Sequence, residues 1–253
     1  MPYAPINGLN LYYEKMGAPN AKNIPLILLH GGGSTLHTSF GLSLQFLAKD
    51  RQVIAYDRKG HGRTSDDDQP FTINRSVKDC ITLLKYLGIE RADFWGYSAG
   101  GHVAIQLALN HPGIVNNLIV ESSMFTRDGN DPSFWEMFNH VKVSDMPPEL
   151  RQEYLDVAPD PDHFEQYFYK GVQLMKDFAG WSDLEIQSIA APTLLLIGDK
   201  DIVIPEHAKR IVGLIRKSQL MVLSNTDHMQ MVNRSEDTLV KINHFLESTN
   251  AAP

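Results

Sequence analysis

A single cysteine, Cys80, stands in a chain of 253 residues. One thiol has no internal partner, so no disulfide framework is available and stability has to come from a buried core. Its setting, Val77-Lys78-Asp79-Cys80-Ile81-Thr82-Leu83-Leu84, predicts a small buried residue on a helix. Basic clusters are also missing. With a net charge of −7 and no long Lys/Arg run, the chain lacks the electrostatic footprint of a protein that binds nucleic acid or an anionic membrane surface. No apolar run approaches membrane-spanning length. The opening Met1-Pro2-Tyr3-Ala4-Pro5 lacks the basic and apolar regions of a secretory signal. No His/Asp cluster has metal-ligand spacing, and no segment repeats. These absences predict a soluble, cytoplasmic protein, a monomer or small homo-oligomer, with neither metal nor cofactor. The short acidic run Asp66-Asp67-Asp68 reads as a solvated loop.

What is present is ordinary globular material, 43% hydrophobic and 21% charged, enough for one α/β domain with a modest insertion. Short apolar runs alternate with helical patterns. Leu9 to Glu14 predicts an opening strand, and Gly17-Ala18-Pro19-Asn20 a turn. Ile24 to Leu29 is continuously apolar, as a strand covered on both faces must be. A short helix at Ser39–Leu47, a strand at Gln52–Asp57 and a helix at Asn74–Leu87 stopped by Gly88 follow. The strand beginning at Asp93 runs into a helix after Gly100-Gly101, and Asn117–Glu121 is the next strand. The pattern resumes with a strand at Ala191–Gly198, a helix at Glu206–Ile215, a last strand at Gln219–Leu223, a final helix at Arg234–Leu246 and a frayed tail at Ser248–Pro253. Alternation of this kind predicts a mostly parallel sheet with helices on both faces.

Between residues 123 and 184 the apolar strands disappear. Pro147-Pro148 and Pro159-Asp160-Pro161 break the stretch into short helical pieces, and eleven of the chain's 23 aromatics (11 Phe, 9 Tyr and 3 Trp) fall there. That texture predicts a helical lid at 123–184 inserted into a core domain formed by 1–122 and 185–253. Most of the rings are expected to pack the lid onto the body, and a few to line an apolar pocket.

The chemistry gathers at the carboxyl ends of the predicted strands, where open α/β sheets place their sites. Gly96-Tyr97-Ser98-Ala99-Gly100 fits G-x-S-x-G at a strand-to-helix turn, with glycines where Cβ atoms would collide around a strained serine. The following helix aims its free amides at charge forming beside the hydroxyl. Asp201 follows a later strand and His228 the last one, so a nucleophile, an orienting acid and a base occur in the order Ser98, Asp201, His228. Asp199 and Glu121 are alternative acids. His30 is expected to brace the glycine loop, and His61 and His102 to be structural or exposed.

Four segments together resemble the α/β-hydrolase superfamily. They are His30-Gly31-Gly32-Gly33, Asp57-Arg58-Lys59-Gly60-His61-Gly62-Arg63-Thr64-Ser65, Gly198-Asp199-Lys200-Asp201 with Pro205, and Asp227-His228. The resemblance implies the α/β-hydrolase fold, a mostly parallel central sheet flanked by helices with an inserted helical cap. It also implies Ser98 as nucleophile, His228 as base and Asp201 as its orienting acid. The oxyanion donors would be the amide of Ala99 and that of Gly32, or else of Gly33 or Gly31. Tyr97, Trp135 and Phe138 are candidate substrate contacts, and His37 could reach the pocket mouth. Serine at the elbow argues against the halide- and epoxide-opening relatives, which carry aspartate there. The loop also lacks the proline that carbon–carbon-bond hydrolases of the superfamily place after the glycines. What remains is cleavage of a carboxylic ester or lactone of an apolar small molecule through an acyl-enzyme. The ring-rich lid is similar to that of macrolide-type lactone esterases, which implies a bulky cyclic ester. A ligand-sensing receptor with slow or no turnover is the alternative on the same scaffold, and cofactor-free oxygenation a more distant one.

Overall fold

The computed structural model of the protein describes residues 2–18 and 24–249. The expected turn at 17–20 and the tail at 248–253 lie partly outside these. Eight strands form one sheet: β1 (Tyr3–Ile6), β2 (Leu9–Met16), β3 (Leu26–Leu29), β4 (Val53–Tyr56), β5 (Ala92–Tyr97), β6 (Val115–Glu121), β7 (Thr193–Lys200) and β8 (Ser218–Asp227). Their spatial order is β1-β2-β4-β3-β5-β6-β7-β8. β1 pairs antiparallel with β2 and β2 with β4, while every other neighbour is parallel, for example Leu28 beside Trp95 and Val120 beside Leu195.

Side-chain alternation divides the core into two layers. Ile27, Leu29, Ile54 and Phe94 face one way, onto helices α2 (Ile73–Tyr86), α3 (Ala99–Asn110) and α8 (Pro205–Leu214). Leu26, Leu28, Val53 and Trp95 face the other way, onto α1 (Leu36–Leu47) and α9 (Glu236–Ser248). Burial on both faces is why β3 and β4 read as unbroken apolar runs. Cys80 lies on the buried face of α2, and burial pushes its thiol up to about 12. No helix among the described residues is long and apolar enough to cross a membrane.

Three expectations need correction. Leu9–Glu14 does not open the sheet, because β1 precedes it; at the sheet edge Pro5 is tolerated, since its missing N–H faces no partner the ladder requires. β8 continues four residues past Leu223, with the left-handed Asn225 (φ 55°) absorbing the irregularity in its pairing with β7. The run Asp66-Asp67-Asp68 is not simply solvated. Lys59 pairs with Asp67, Arg75 lies 3.5 Å from it, and Lys170 reaches Asp66 at 2.8 Å.

Between β6 and β7 lie α4 (Pro132–His140), α5 (Pro148–Val157), α6 (Phe164–Lys176) and α7 (Asp183–Gln187), linked by single turns. The segment leaves and re-enters the body at one point, where Thr126 bridges Gly180 and the Trp181 amide donates to the Phe125 carbonyl at 2.9 Å. It is also tied down farther out. Glu153 on α5 accepts from the hydroxyls of Thr35 and Thr38 at the N-terminus of α1, where a carboxylate is favoured. Tyr154, Phe164 and Tyr167 pack with Phe71 in a small cluster of their own, and Phe178 stacks on His102 with centroids 4.2 Å apart.

Candidate active site

Ser98 sits between the last residue of β5 and the first of α3 at φ 51°, ψ −123°. A non-glycine residue in that region is strained, and the surroundings must impose it. They do so by close packing: a Cβ on Gly96 would collide with the Gly100 carbonyl, and one on Gly100 with the Leu29 carbonyl. The Ser98 amide donates to the Glu121 carbonyl at 2.8 Å, and Ser123 donates to the Ser98 carbonyl. The hydroxyl is thereby held out over the sheet edge at the start of α3.

Two further strand ends bring partners to it. His228 follows β8, and its Nε2 lies 3.0 Å from Ser98 Oγ. Its Nδ1 lies 2.8 Å from Oδ1 of Asp201, which follows β7 and has a fully buried side chain. A carboxylate only accepts, so Nδ1 carries the proton and Nε2 is free to accept from the serine. Burial would raise the Asp201 carboxyl. The His228 ring, the Ser122 hydroxyl and the Gly198 amide outweigh burial and hold it below the usual carboxylate range. Tyr97, almost fully buried, stacks under the imidazole at 5.3 Å and donates its hydroxyl to the His228 carbonyl at 2.7 Å.

The alternative acids are elsewhere. Asp199 is exposed and accepts from the Thr226 amide at 3.2 Å. Glu121 is fully buried and consumed by Arg234, whose Nη2 lies 2.5 Å away, and by the Trp95 indole at 2.8 Å. Burial pushes the Glu121 carboxyl up, and the guanidinium opposes that.

The glycine loop closes the site from the β3 side. His30 is fully buried and neutral: burial and the nearby Arg58 push it well below its ordinary value. Its Nδ1 donates to the Gly31 carbonyl at 2.7 Å and its Nε2 accepts the Arg58 amide at 2.9 Å. The Gly31 amide donates to Ser39 Oγ at 3.2 Å, which removes it as an oxyanion donor. Gly32 faces Ala99, with 3.5 Å between a hypothetical Gly32 Cβ and the alanine methyl, and Gly33 adopts φ 71°. Ala99 opens α3, so its amide has no partner in the preceding turn.

Above these groups is a cavity of about 340 Å³ whose wall includes Gly32, Gly33, Ser98, Ala99 and His228. Its far side is apolar and comes from the segment between β6 and β7, with Phe134, Phe138, Leu150, Phe168, Val172 and Met175. Of the expected substrate contacts, Phe138 is there. Three others are not. Trp135 points away, donating to the Arg127 carbonyl at 2.8 Å beneath the Arg127 guanidinium. Tyr97 lies under His228 and outside the cavity wall, and His37 turns outward to Glu14 at 2.8 Å. Helical spacing could have flagged Phe134, one turn before Phe138. Nothing in the sequence marked Ser122, because a serine after a strand has no signature for supporting a distant aspartate.

Comparison with known proteins follows the same lines. A proline iminopeptidase of Lactobacillus acidophilus is 25% identical, covering 97% of this chain and 97% of its own. A 2-hydroxymuconate semialdehyde hydrolase of a Pseudomonas species is 28% identical, covering 90% of this chain and 88% of its own. The crystal structure of an enol-lactonase from Burkholderia xenovorans superposes with a TM-score of 0.78 at 20% identity, over 97% of this chain and 99% of that one. The family model described as "Alpha/beta hydrolase family" spans residues 26–241, most of the sheet and the whole site, and the chain belongs to that family.

Proposed function

We propose that the protein hydrolyses a carboxylic ester or lactone of a small apolar molecule through an acyl-enzyme. The observation that carries this reading is the continuous line from Ser98 Oγ to His228 Nε2 (3.0 Å) and from His228 Nδ1 to Asp201 Oδ1 (2.8 Å), opening into an apolar cavity. Ser98 attacks the acyl carbon while its proton passes to His228. The carbonyl oxygen becomes an oxyanion held by the amides of Ala99 and of Gly32 or Gly33. His228 then gives the proton to the departing alcohol as the C–O bond breaks. Water enters, loses a proton to His228 and attacks the acyl-enzyme, and His228 returns that proton to Ser98 Oγ as the acyl C–O bond breaks and the acid leaves. Asp201 fixes the tautomer and stabilises the imidazolium.

The segment at 123–184 acts in this reading as a lid that selects substrate. At about 340 Å³ the cavity is at the lower end of the ~300–1,000 Å³ usual for small-molecule sites, which favours a compact ester over a macrocycle. Among the described residues its one lining carboxylate, Asp145, is exposed. A peptide's free ammonium would therefore find no buried partner there.

The test is acid release by pH-stat over short acyl esters, small lactones, macrocyclic lactones, an N-terminal prolyl amide and a vinylogous 1,5-diketone, with Ser98→Ala as the blank. Ester or lactone turnover at least 10-fold above the amide and the diketone, lost in Ser98→Ala, is expected. Preference for the diketone would replace the reading with carbon–carbon bond cleavage. Slow turnover of every substrate would favour the ligand-sensing alternative.

A further inference from the structure

Arg58, just after β4, is 3% exposed and lines the same cavity as Ser98. Its pairing is incomplete. One Nη2–H goes to the Gly31 carbonyl at 3.0 Å, and its Nε has no partner. The two other buried guanidiniums of the chain each meet a buried carboxylate, Arg51 with Asp93 and Arg234 with Glu121. Among the described residues none meets Arg58. Its neighbours on the wall, His61 and Tyr167, are neutral at physiological pH: burial lowers the imidazole to about 3 and raises the phenol far above its usual range.

A buried charge without a counter-charge is costly, and the cost is recovered when an anion arrives. A guanidinium also presents parallel N–H donors that match a planar carboxylate, and the apolar surroundings strengthen the pairing. We propose that Arg58 is an anion subsite of this cavity and that the substrate is an ester or lactone bearing a carboxylate. The inference rests on the hydrolytic reading and narrows its substrate. Because Arg58 is bonded to the Gly31 carbonyl, the anion is held beside the glycine loop, close to the acyl centre, which suits a compact bifunctional molecule.

The experiment uses two matched pairs on the intact protein. Mono-4-nitrophenyl adipate is compared with its terminal carboxamide, and 4-(butanoyloxy)benzoate with 4-(butanoyloxy)benzamide. The carboxylate member of at least one pair is expected to have a kcat/KM about 10-fold higher, most of it in KM. In Arg58→Gln both members slow, since the residue also holds the glycine loop, but their ratio falls toward one. Equal or inverted ratios in the wild-type protein overturn the proposal, as does a ratio that survives in Arg58→Gln. If none of the four esters is hydrolysed, the acyl-enzyme reading fails, and the subsite is read by thermal shift instead. A Tm rise with 4-hydroxybenzoate and none with 4-hydroxybenzamide supports the anion site, and any other pattern overturns it.

Discussion

The hydroxyl of Ser122 lies 2.5 Å from Oδ2 of Asp201, while Oδ1 of the same carboxylate holds Nδ1 of His228 at 2.8 Å. Ser122 follows β6 at φ 52°, so two strained serines, Ser98 and Ser122, end adjacent strands and converge on one relay. The second supports the acid as the first presents the nucleophile. A carboxylate gripped at both oxygens cannot rotate away from the imidazole.

Ser122→Gly accepts the positive φ without strain and removes the hydroxymethyl group, hydroxyl included. We expect kcat to fall about 10-fold with KM unchanged, as for loss of one positioning hydrogen bond to a charged group. The acid limb of kcat/KM should move to higher pH, because a carboxylate that loses a donor binds protons more tightly. A pH–rate profile on a soluble ester decides it. An unchanged limb with normal stability would make Ser122 a purely structural residue.

Arg234 donates to both oxygens of Glu121 and packs against both Phe40 and Trp95, with its guanidinium carbon 4.8 Å from each ring centroid. Arg234→Met leaves Glu121 buried and uncompensated, which should cost about 3–5 kcal/mol in urea unfolding. Adding Glu121→Gln should recover a substantial part of that loss. If the double variant is no more stable than the single, packing of Arg234 and not its charge dominates.

Phe138 lines the cavity and Trp135 does not. Phe138→Ala should therefore shift preference toward longer acyl chains by about 10-fold in relative kcat/KM, the value of one or two methylenes in an apolar pocket. Trp135→Ala should leave that preference within twofold and lower stability instead. Kinetics on a series of acyl chain lengths separates the two. Equal shifts would place both rings at the substrate.

His102 is buried against Phe178, its Nε2 has no partner, and burial lowers its pKa to about 4. The unfolded chain takes up a proton on this residue near pH 6.5, where the folded protein refuses it, so stability is complete above that pH and lost as pH falls. His102→Gln removes the effect. Its stability difference between pH 7.5 and pH 5 should be about 2 kcal/mol smaller than that of the wild type, by the usual 1.36 kcal/mol per pH unit. Urea titrations at the two pH values measure it, and identical slopes would place the acid sensitivity elsewhere.

Much of this is legible in the sequence, because the relevant signals are local. β3 and β4 declare themselves by continuous apolarity, and Ser98 by the small residues that surround it. The superfamily's spacing favours Asp201 over Asp199, and it is Asp201 whose Oδ1 lies 2.8 Å from the His228 ring. Signals that depend on distant partners were silent. The Glu121–Arg234 pair joins residues 113 positions apart. The outward turn of His37 depends on Glu14, and the redirection of Trp135 depends on Arg127. The sequence contains both partners in each case, but nothing in it says that they meet.

The close junction at Thr126 and Gly180 has a consequence for how such a protein can change. Because the chain departs and returns through neighbouring residues, the length between them can vary at little entropic penalty, since loop closure grows only logarithmically with length. The contacts that hold the elbow and the relay, Gly96 against Gly100 and His228 between Ser98 and Asp201, lie outside that length. We infer that this stretch is a replaceable cassette. A transplant cut at 126 and 180 should inherit the chemistry and the Arg58 subsite from one parent and the shape of the apolar wall from the other.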